Sequence, residues 1–284
     1  MNTATSTAET TVGPAPTRPL PHATVLVQLS DLHIGARGAD PYGTDTAANL
    51  RRTATTLREM DLCPAAVLLT GDLSDAGDAA SYEHLRDLVA EELAPLGCPV
   101  LPVVGNHDHR GTFHAAYLGR AAGDDVAHHY TCDVDDVRIV MLDSYHAGHV
   151  TGLLGPDQLA WLDDQLATAG DRTCVIGLHH PSVPRGVPRA DDFLLADRDE
   201  FGAVVARHDV AAILCGHSHV STAATFAGAV HAAAPATAYL LDPSRRAGGR
   251  AFAGCGFAIC TVRDGRAIVN PFIVPPAAAD LYRH

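Results

Sequence analysis

In five places along the chain an apolar run stops and residues able to hold a metal ion follow at once. TVLVQLS ends at Asp31-Leu32-His33, AAVLLT at Gly71-Asp72 and CPVLPVV at Gly105-Asn106-His107-Asp108. CVIGL ends at His179-His180-Pro181, and AAILC at Gly216-His217-Ser218-His219. Two carboxylates, a carboxamide oxygen and several imidazoles make a nitrogen/oxygen donor set without sulfur. Such a set suits manganese, iron or zinc, whereas imidazole disfavours calcium and magnesium. The donors are too many for one tetrahedral ion and about the right number for two ions sharing a carboxylate. In hydrolytic sites of that kind two ions about 3.5–4 Å apart hold the nucleophile and the phosphoryl oxygens together.

Donors so far apart in sequence need a scaffold that gathers them. TVLVQLS (24–30), AAVLLT (65–70), CPVLPVV (98–104), RIVMLD (138–143), CVIGL (174–178) and AAILC (211–215) read as short buried strands. Helical patterns lie between them at 46–60, 79–93, 156–168 and 198–207. After residue 220 helical patterning gives way to strand-like stretches, STAATFAG, VHAAAPA, GFAICTV and AIVNPFIV, separated by turns. Alternating strands and helices followed by strands predict a layered α/β fold, largely parallel at its start. Loops beyond the carboxyl ends of parallel strands share one edge, so the five clusters are expected to converge there. Glycines just before several clusters allow the sharp turn and close approach that an ion requires.

Read in order, D-x-H, G-D, G-N-H-D, H and G-H-x-H resemble the signature of the calcineurin-like metallophosphoesterases, across about 190 residues between Asp31 and His219. The surroundings resemble more closely the class III cyclic nucleotide phosphodiesterases of mycobacterial type, through LTGDLSDAGDAASYEHLRDLV, VVGNHDHR, GLHHPSVP and ILCGHSHVSTAATFAG, with a looser match at YLLDPSRRAGGRAFAGCGF. The resemblance implies an α/β/β/α sandwich with a dinuclear metal site at the strand ends. It implies Asp31, His33 and His219 as ligands of the first ion, Asp72 as the shared carboxylate, and Asn106, His179 and His217 as ligands of the second. His179 is preferred to His180 because the first histidine of the subgroup's HHP motif is the ligand. His107 matches the histidine that faces the scissile phosphate without binding metal. His180 and His149 are candidates for substrate contact, His149 through the loop YHAGHVTG.

The implied reaction is hydrolysis of a phosphodiester, 3′,5′-cyclic nucleotides such as cAMP above all, by attack of a metal-bridging hydroxide. Asn106 would hold a phosphoryl oxygen and His107 would serve the leaving alkoxide. Asp108 is expected to orient a histidine, and Asp75 to form a turn. Two dications bring +4, and Asp31, Asp72 and the hydroxide bring −3, leaving +1 for a singly charged phosphodiester. Arg245, Arg246 and Arg250 are therefore read as a solvated loop rather than as a clamp. Glycerophosphodiesters, 2′,3′-cyclic nucleotides, nucleotide-sugar pyrophosphates and phosphomonoesters stay open as substrates, because a shared metal core does not fix them. A non-catalytic metal-binding scaffold is the alternative of another class.

The whole chain sets bounds on the same reading. Its 284 residues carry 33 acidic and 20 basic side chains, a formal charge of −13 that argues against a nucleic-acid partner. No apolar run is long enough to span a bilayer. Residues 1–22 read as a disordered tail rather than a secretory leader, 23–275 as one metallophosphoesterase domain and 276–284 as a C-terminal tail. Seven scattered cysteines (63, 98, 132, 174, 215, 255, 260) without a Cys-x-x-Cys pair read as buried thiols in a reducing cytoplasm. Of the 17 histidines, those outside the motifs are expected mostly at the surface. The subgroup resemblance also implies a homodimer, with contact near 224–236.

Overall fold

The computed structural model describes residues 23–186, 191–242 and 250–274. Both expected tails, Arg245 and Arg246 lie outside them, as does the side chain of Arg250. Strands β1 (Thr24–Leu29), β2 (Ala66–Thr70) and β3 (Val100–Val103) run parallel as neighbours. They are separated by helices α1 (Thr46–Glu59) and α2 (Ala79–Leu88). Asp45 and Asp78 cap these two helices, accepting hydrogen bonds from the amides of Ala48 and Ser81. A short helix α3 (Arg110–Thr112) runs into a wider turn, and the antiparallel pair β4 (Tyr130–Val134) and β5 (Val137–Met141) follows.

Next come α4 (Gly155–Ala167), β6 (Thr173–Gly177), α5 (Arg198–Val205), β7 (Val210–Cys215), β8 (Thr222–Phe226) and β9 (Ala229–Ala233). The small pair β10 (Leu240–Asp242) and β11 (Arg250–Phe252) precedes the long hairpin β12 (Cys255–Arg263) and β13 (Arg266–Val274). The chain thereby builds a five-stranded sheet in the order β13-β12-β1-β2-β3 and a six-stranded sheet in the order β4-β5-β6-β7-β9-β8. Both are mixed, because β12 pairs antiparallel to β1, and β4 and β8 pair antiparallel at the two edges of the second sheet.

Three apolar layers show why these strands stack. Leu26, Leu68, Leu101 and Val103 of the first sheet meet Ile139, Met141, Val175, Ala212 and Leu214 of the second. The opposite face of the first sheet, with Val27, Leu29, Val67 and Leu69, packs on Leu50, Leu57, Leu85 and Leu88 of α1 and α2. The outer face of the second sheet, with Val140, Ile176 and Ile213, packs on Leu159, Leu162, Phe201 and Val205 of α4 and α5. Each strand residue alternates between the two faces of its sheet, so one apolar run feeds two layers. The result is the expected α/β/β/α sandwich. Gln28 is buried between the sheets, and its amide donates to Thr70 Oγ1 at 2.9 Å and to the Cys215 carbonyl at 2.8 Å. This side chain ties β1, β2 and β7 together immediately below the ends that carry the candidate ligands.

Candidate metal centre

The carboxyl ends of β1, β2, β3, β6 and β7 reach one rim, and backbone hydrogen bonds continue past the strands to lock the loops in register. Asp31 N donates to Gly71 O at 3.0 Å, His33 N to Asp72 O at 2.9 Å and Gly216 N to His179 O at 2.9 Å. Two glycines lie where no side chain fits. A Cβ on Gly105 would overlap Asp72, and one on Gly216 would overlap Ser30 Oγ and lie 2.7 Å from Asp31 Oδ2. The third, Gly71, has φ +89°, and a Cβ there would run into the His179 ring.

The candidates meet in two adjoining groups. Ligand-type atoms of Asp31, His33, Asp72 and His219 all lie within 4.8 Å of one another, and so do those of His179, His180 and His217. Asp72 stands between the groups, its Oδ2 3.6 Å from His33 Nε2 and 3.3 Å from His179 Nε2. Asn106 Oδ1 is 3.2 Å from His179 Nε2, and His219 Nε2 is 3.5 Å from Asp31 Oδ1. All seven residues named as ligands thus share one pocket. His107 lies at its edge, its amide donating to Asp72 Oδ1 at 2.9 Å and its ring edge-on to His33 at 4.6 Å.

The hydrogen bonds behind the rings assign their protons. His179 Nδ1 donates to Thr70 O at 2.8 Å, His219 Nδ1 to Tyr239 O at 3.0 Å and His33 Nδ1 to Asp75 Oδ1 at 3.1 Å. In each, Nε2 is thereby the nitrogen turned into the pocket, where it could bind an ion. His33 Nε2 then faces His219 Nε2 at 3.1 Å, and His179 Nε2 faces His217 Nδ1 at 3.2 Å. For His33 and His219, whose protons are held behind the rings, lone pair opposed to lone pair with buried carboxylates alongside is a donor set that fits a cation. Burial keeps three of the imidazoles neutral: His219 is pushed down to about 4, and His217 and His180 are held well below the usual histidine range. Burial raises Asp31 to about 6. Burial would also raise Asp72, but His179, with His33 and His107, outweighs it and holds that carboxyl well below the usual range. Reciprocally, burial would lower His179, but Asp72 prevails and lifts the imidazole to about 9.

Four expectations change. Asp108 orients no histidine; its buried carboxylate accepts from Gly105 N, Leu73 N, Ser74 N and the Tyr82 hydroxyl, pinning the third ligand loop to the second. The histidine-orienting carboxylate is Asp75, expected only as a turn former, which holds His33 as described. His107 Nδ1 also donates to the Asp75 carbonyl at 3.0 Å. His84, His114, His128 and His231 are buried rather than at the surface. Cys63 is exposed and Cys98 and Cys132 are half-buried, although all seven cysteines are free as expected.

His180 is fully buried against His179 and His217, its Nδ1 2.8 Å from Ser144 Oγ. His149 is exposed and stacks on His146 with ring centroids 3.9 Å apart. One residue escaped the sequence reading. Asp143 follows β5 with the same apolar-run signal as the ligands, but its carboxylate takes a two-pronged hydrogen bond from Arg110, at 2.8 and 2.9 Å.

The sequence matches the model of the calcineurin-like phosphoesterase family over residues 24–221. It is 37% identical over 230 residues to a cAMP/cGMP dual specificity phosphodiesterase of Mycobacterium tuberculosis, covering 79% of this chain and 71% of that protein. It is 30% identical over 220 residues to a glycerophosphodiester phosphodiesterase of Enterobacter lignolyticus, covering 76% of this chain and 78% of that one. A dimetal phosphatase from Danio rerio shares the fold, with a TM-score of 0.65 at 18% identity over 89% of this chain and 98% of the other. With the matched segment spanning every strand that feeds the pocket, the chain belongs to the calcineurin-like phosphoesterase family.

Proposed function

We propose that the protein is a metal-dependent phosphodiesterase that hydrolyses 3′,5′-cyclic nucleotides such as cAMP at the pocket formed by Asp31, His33, Asp72, Asn106, His179, His217 and His219. The observation that carries this reading is the convergence of buried imidazole nitrogens and carboxylates into two groups on either side of Asp72. Two divalent ions, manganese, iron or zinc, bound there would lower the pKa of water to about 7 and polarise the phosphoryl group. Asn106 presents its carboxamide to a phosphoryl oxygen beside His179. His107, with Nδ1 donating to the Asp75 carbonyl, would present Nε2 to the leaving oxygen and, as the imidazolium, give it the Nε2 proton, ending as the neutral imidazole. The relative from Enterobacter favours glycerophosphodiesters as a second substrate class.

Seven free thiols support a reducing cytoplasm as the working compartment. No helix among the described residues is long and apolar enough to cross a membrane. For the expected homodimer, only the edge strand β8 at the start of 224–236 offers solvent-facing residues, since Ala229 and residues 231–236 are buried.

The test is release of nitrophenol from bis(p-nitrophenyl) phosphate with Mn²⁺, with and without chelator, followed by kcat/KM for cAMP, 2′,3′-cAMP and glycerophosphoethanolamine. Asp72→Ala is expected to lose bound metal and turnover together. His107→Ala is expected to keep its metal while the rate falls roughly 10²- to 10⁴-fold. Normal turnover by a metal-free Asp72→Ala protein would overturn the mechanism.

A further inference from the structure

Tyr42 is 63% exposed, although its backbone sits in the left-handed region at φ 55°, ψ 24°. That region is sterically unfavourable for a residue with a bulky side chain. An exposed aromatic ring offers no burial to offset such a conformation, yet the turn is tightly held. Gly43 N donates to Asp40 O at 2.9 Å, Thr44 N to Pro41 O at 3.0 Å, and Thr46 Oγ1 to His33 O at 3.0 Å, tying the start of α1 to the first ligand loop. The ring it holds out stands 5.2 Å from Tyr239 and edge-on to His33 at 6.3 Å. Tyr239 is only 8% exposed and leans on His219 at 4.5 Å and His33 at 5.6 Å. An aromatic wall therefore rises from the His33–His219 half of the pocket into solvent. Across the pocket Phe193, 40% exposed, stands edge-on to His217 at 6.3 Å.

We propose that Tyr42, backed by Tyr239, is a specificity surface on which a planar aromatic group esterified to the bound phosphate stacks. The inference deepens the phosphodiesterase reading and rests on it. A phosphate seated among the imidazoles has one ester arm directed along this wall. A flat arm, nucleobase or aryl, covers the ring of Tyr42, whereas a short polyol arm cannot. Stacking on an aromatic side chain accepts any base, because each has a π face.

The experiment uses the full chain loaded with Mn²⁺ and two variants. Tyr42→Asn removes the ring but suits a left-handed backbone, and Tyr42→Phe keeps the ring. For cAMP and bis(p-nitrophenyl) phosphate, Tyr42→Asn should lose roughly 5- to 150-fold in kcat/KM, mostly through KM. For glycerophosphoethanolamine it should stay within about twofold, and Tyr42→Phe should resemble the parent on all three. Isothermal titration supplies a readout independent of turnover: Tyr42→Asn should weaken adenosine 5′-monophosphate but not inorganic phosphate. Loss confined to cAMP would assign the surface to nucleobases, and loss on both aromatic esters to flat rings in general. Equal losses on aromatic and glycerol esters, or unchanged binding of the monophosphate, would overturn the inference while leaving the phosphodiesterase reading intact. If the parent protein bound neither phosphate nor the monophosphate and cleaved no ester, both would fall.

Discussion

Replacing Asp143 with Asn separates scaffold from site, because Asp143 follows a strand as the candidate ligands do, but its carboxylate is taken up by Arg110 and two backbone amides. Its side chain is fully buried, and that of Arg110 is 15% exposed. Oδ1 accepts from Arg110 Nη2 at 2.9 Å and Tyr145 N at 3.0 Å, and Oδ2 accepts from Arg110 Nε at 2.8 Å and His128 N at 2.7 Å. All four partners are N–H donors. An Asn in either orientation turns an NH₂ toward two of them, losing two hydrogen bonds to a charged group at about 1.5–3 kcal/mol each. Breaking a buried ion pair by one partner costs about 3–5 kcal/mol by a separate route, so about 4 kcal/mol is expected. That is a large share of the 5–15 kcal/mol typical of a whole domain, and corresponds to a fall in Tm of roughly 8–16 °C. Urea denaturation and calorimetry read the loss, and metal analysis of the folded variant should show parental stoichiometry. Arg110→Ala should cost a similar amount, and the double variant should cost less than the sum. Parental stability with lost metal would refute the reasoning and make Asp143 a ligand.

Two further outcomes follow from the same contacts. Chelation should lower Tm reversibly: an ion at a thousand times its Kd contributes about 4 kcal/mol, so EDTA should cost roughly 8–16 °C per tightly held ion, and re-added Mn²⁺ should restore it. An unchanged Tm would mean that the pocket holds no ion tightly. Away from the pocket, His231 on β9 is 2% exposed, accepts a hydrogen bond from Ser182 N at 3.1 Å, and is pushed down to about 4 by burial. Below about pH 6.5 the unfolded chain takes up a proton that the folded one refuses, so stability falls as pH falls, by about 2 kcal/mol at pH 5, and the loss ends near pH 4. His231→Gln should flatten the curve between pH 7 and 5 by that amount, and an identical slope in parent and variant would show that His231 titrates normally.

Much of this architecture was legible because short apolar runs with ligand-type residues at their carboxyl ends carry two signals at once, strand and site. The runs at 65–70 and 211–215 fall on β2 and β7, and the clusters after them reach a common rim as parallel connections require. The strand β4, YTCDV, gave no such signal, since an edge strand with one partner and half-buried residues needs no apolar run. Second-rank roles were illegible for a different reason. Asp75 and Asp108 are equally polar in sequence, and only the folding of one loop over another decides which meets a histidine and which meets four donors. Buried histidines were misread as surface ones because imidazole carries no fixed burial preference; His231 needed its place in a strand and a backbone donor at Ser182 to be recognised.

The i, i+2 spacing of Asp31 with His33 and of His217 with His219 carries a geometric consequence. In an extended strand residues two apart lie about 6.6–6.8 Å from one another, too far for their side chains to converge easily on one ion. Here the backbone leaves the extended form at the ligands themselves: Asp31 has φ 52°, His33 43°, Asp72 46°, His217 68° and His219 52°. Left-handed residues coil the chain, which brings the donor atoms of Asp31, His33, Asp72 and His219 within 4.8 Å of one another. Asp and His are among the side chains that tolerate this region best, so the chemistry wanted at the ion and the conformation needed to gather it favour the same residue types. The remaining strain, about 1–2 kcal/mol per residue, is held by contacts that do not involve metal, such as His217 N to Asp31 Oδ1 at 2.9 Å and Ala238 N to Asp31 O at 3.0 Å. Gln28 cross-ties the two sheets directly beneath these strained residues and braces the rim from below.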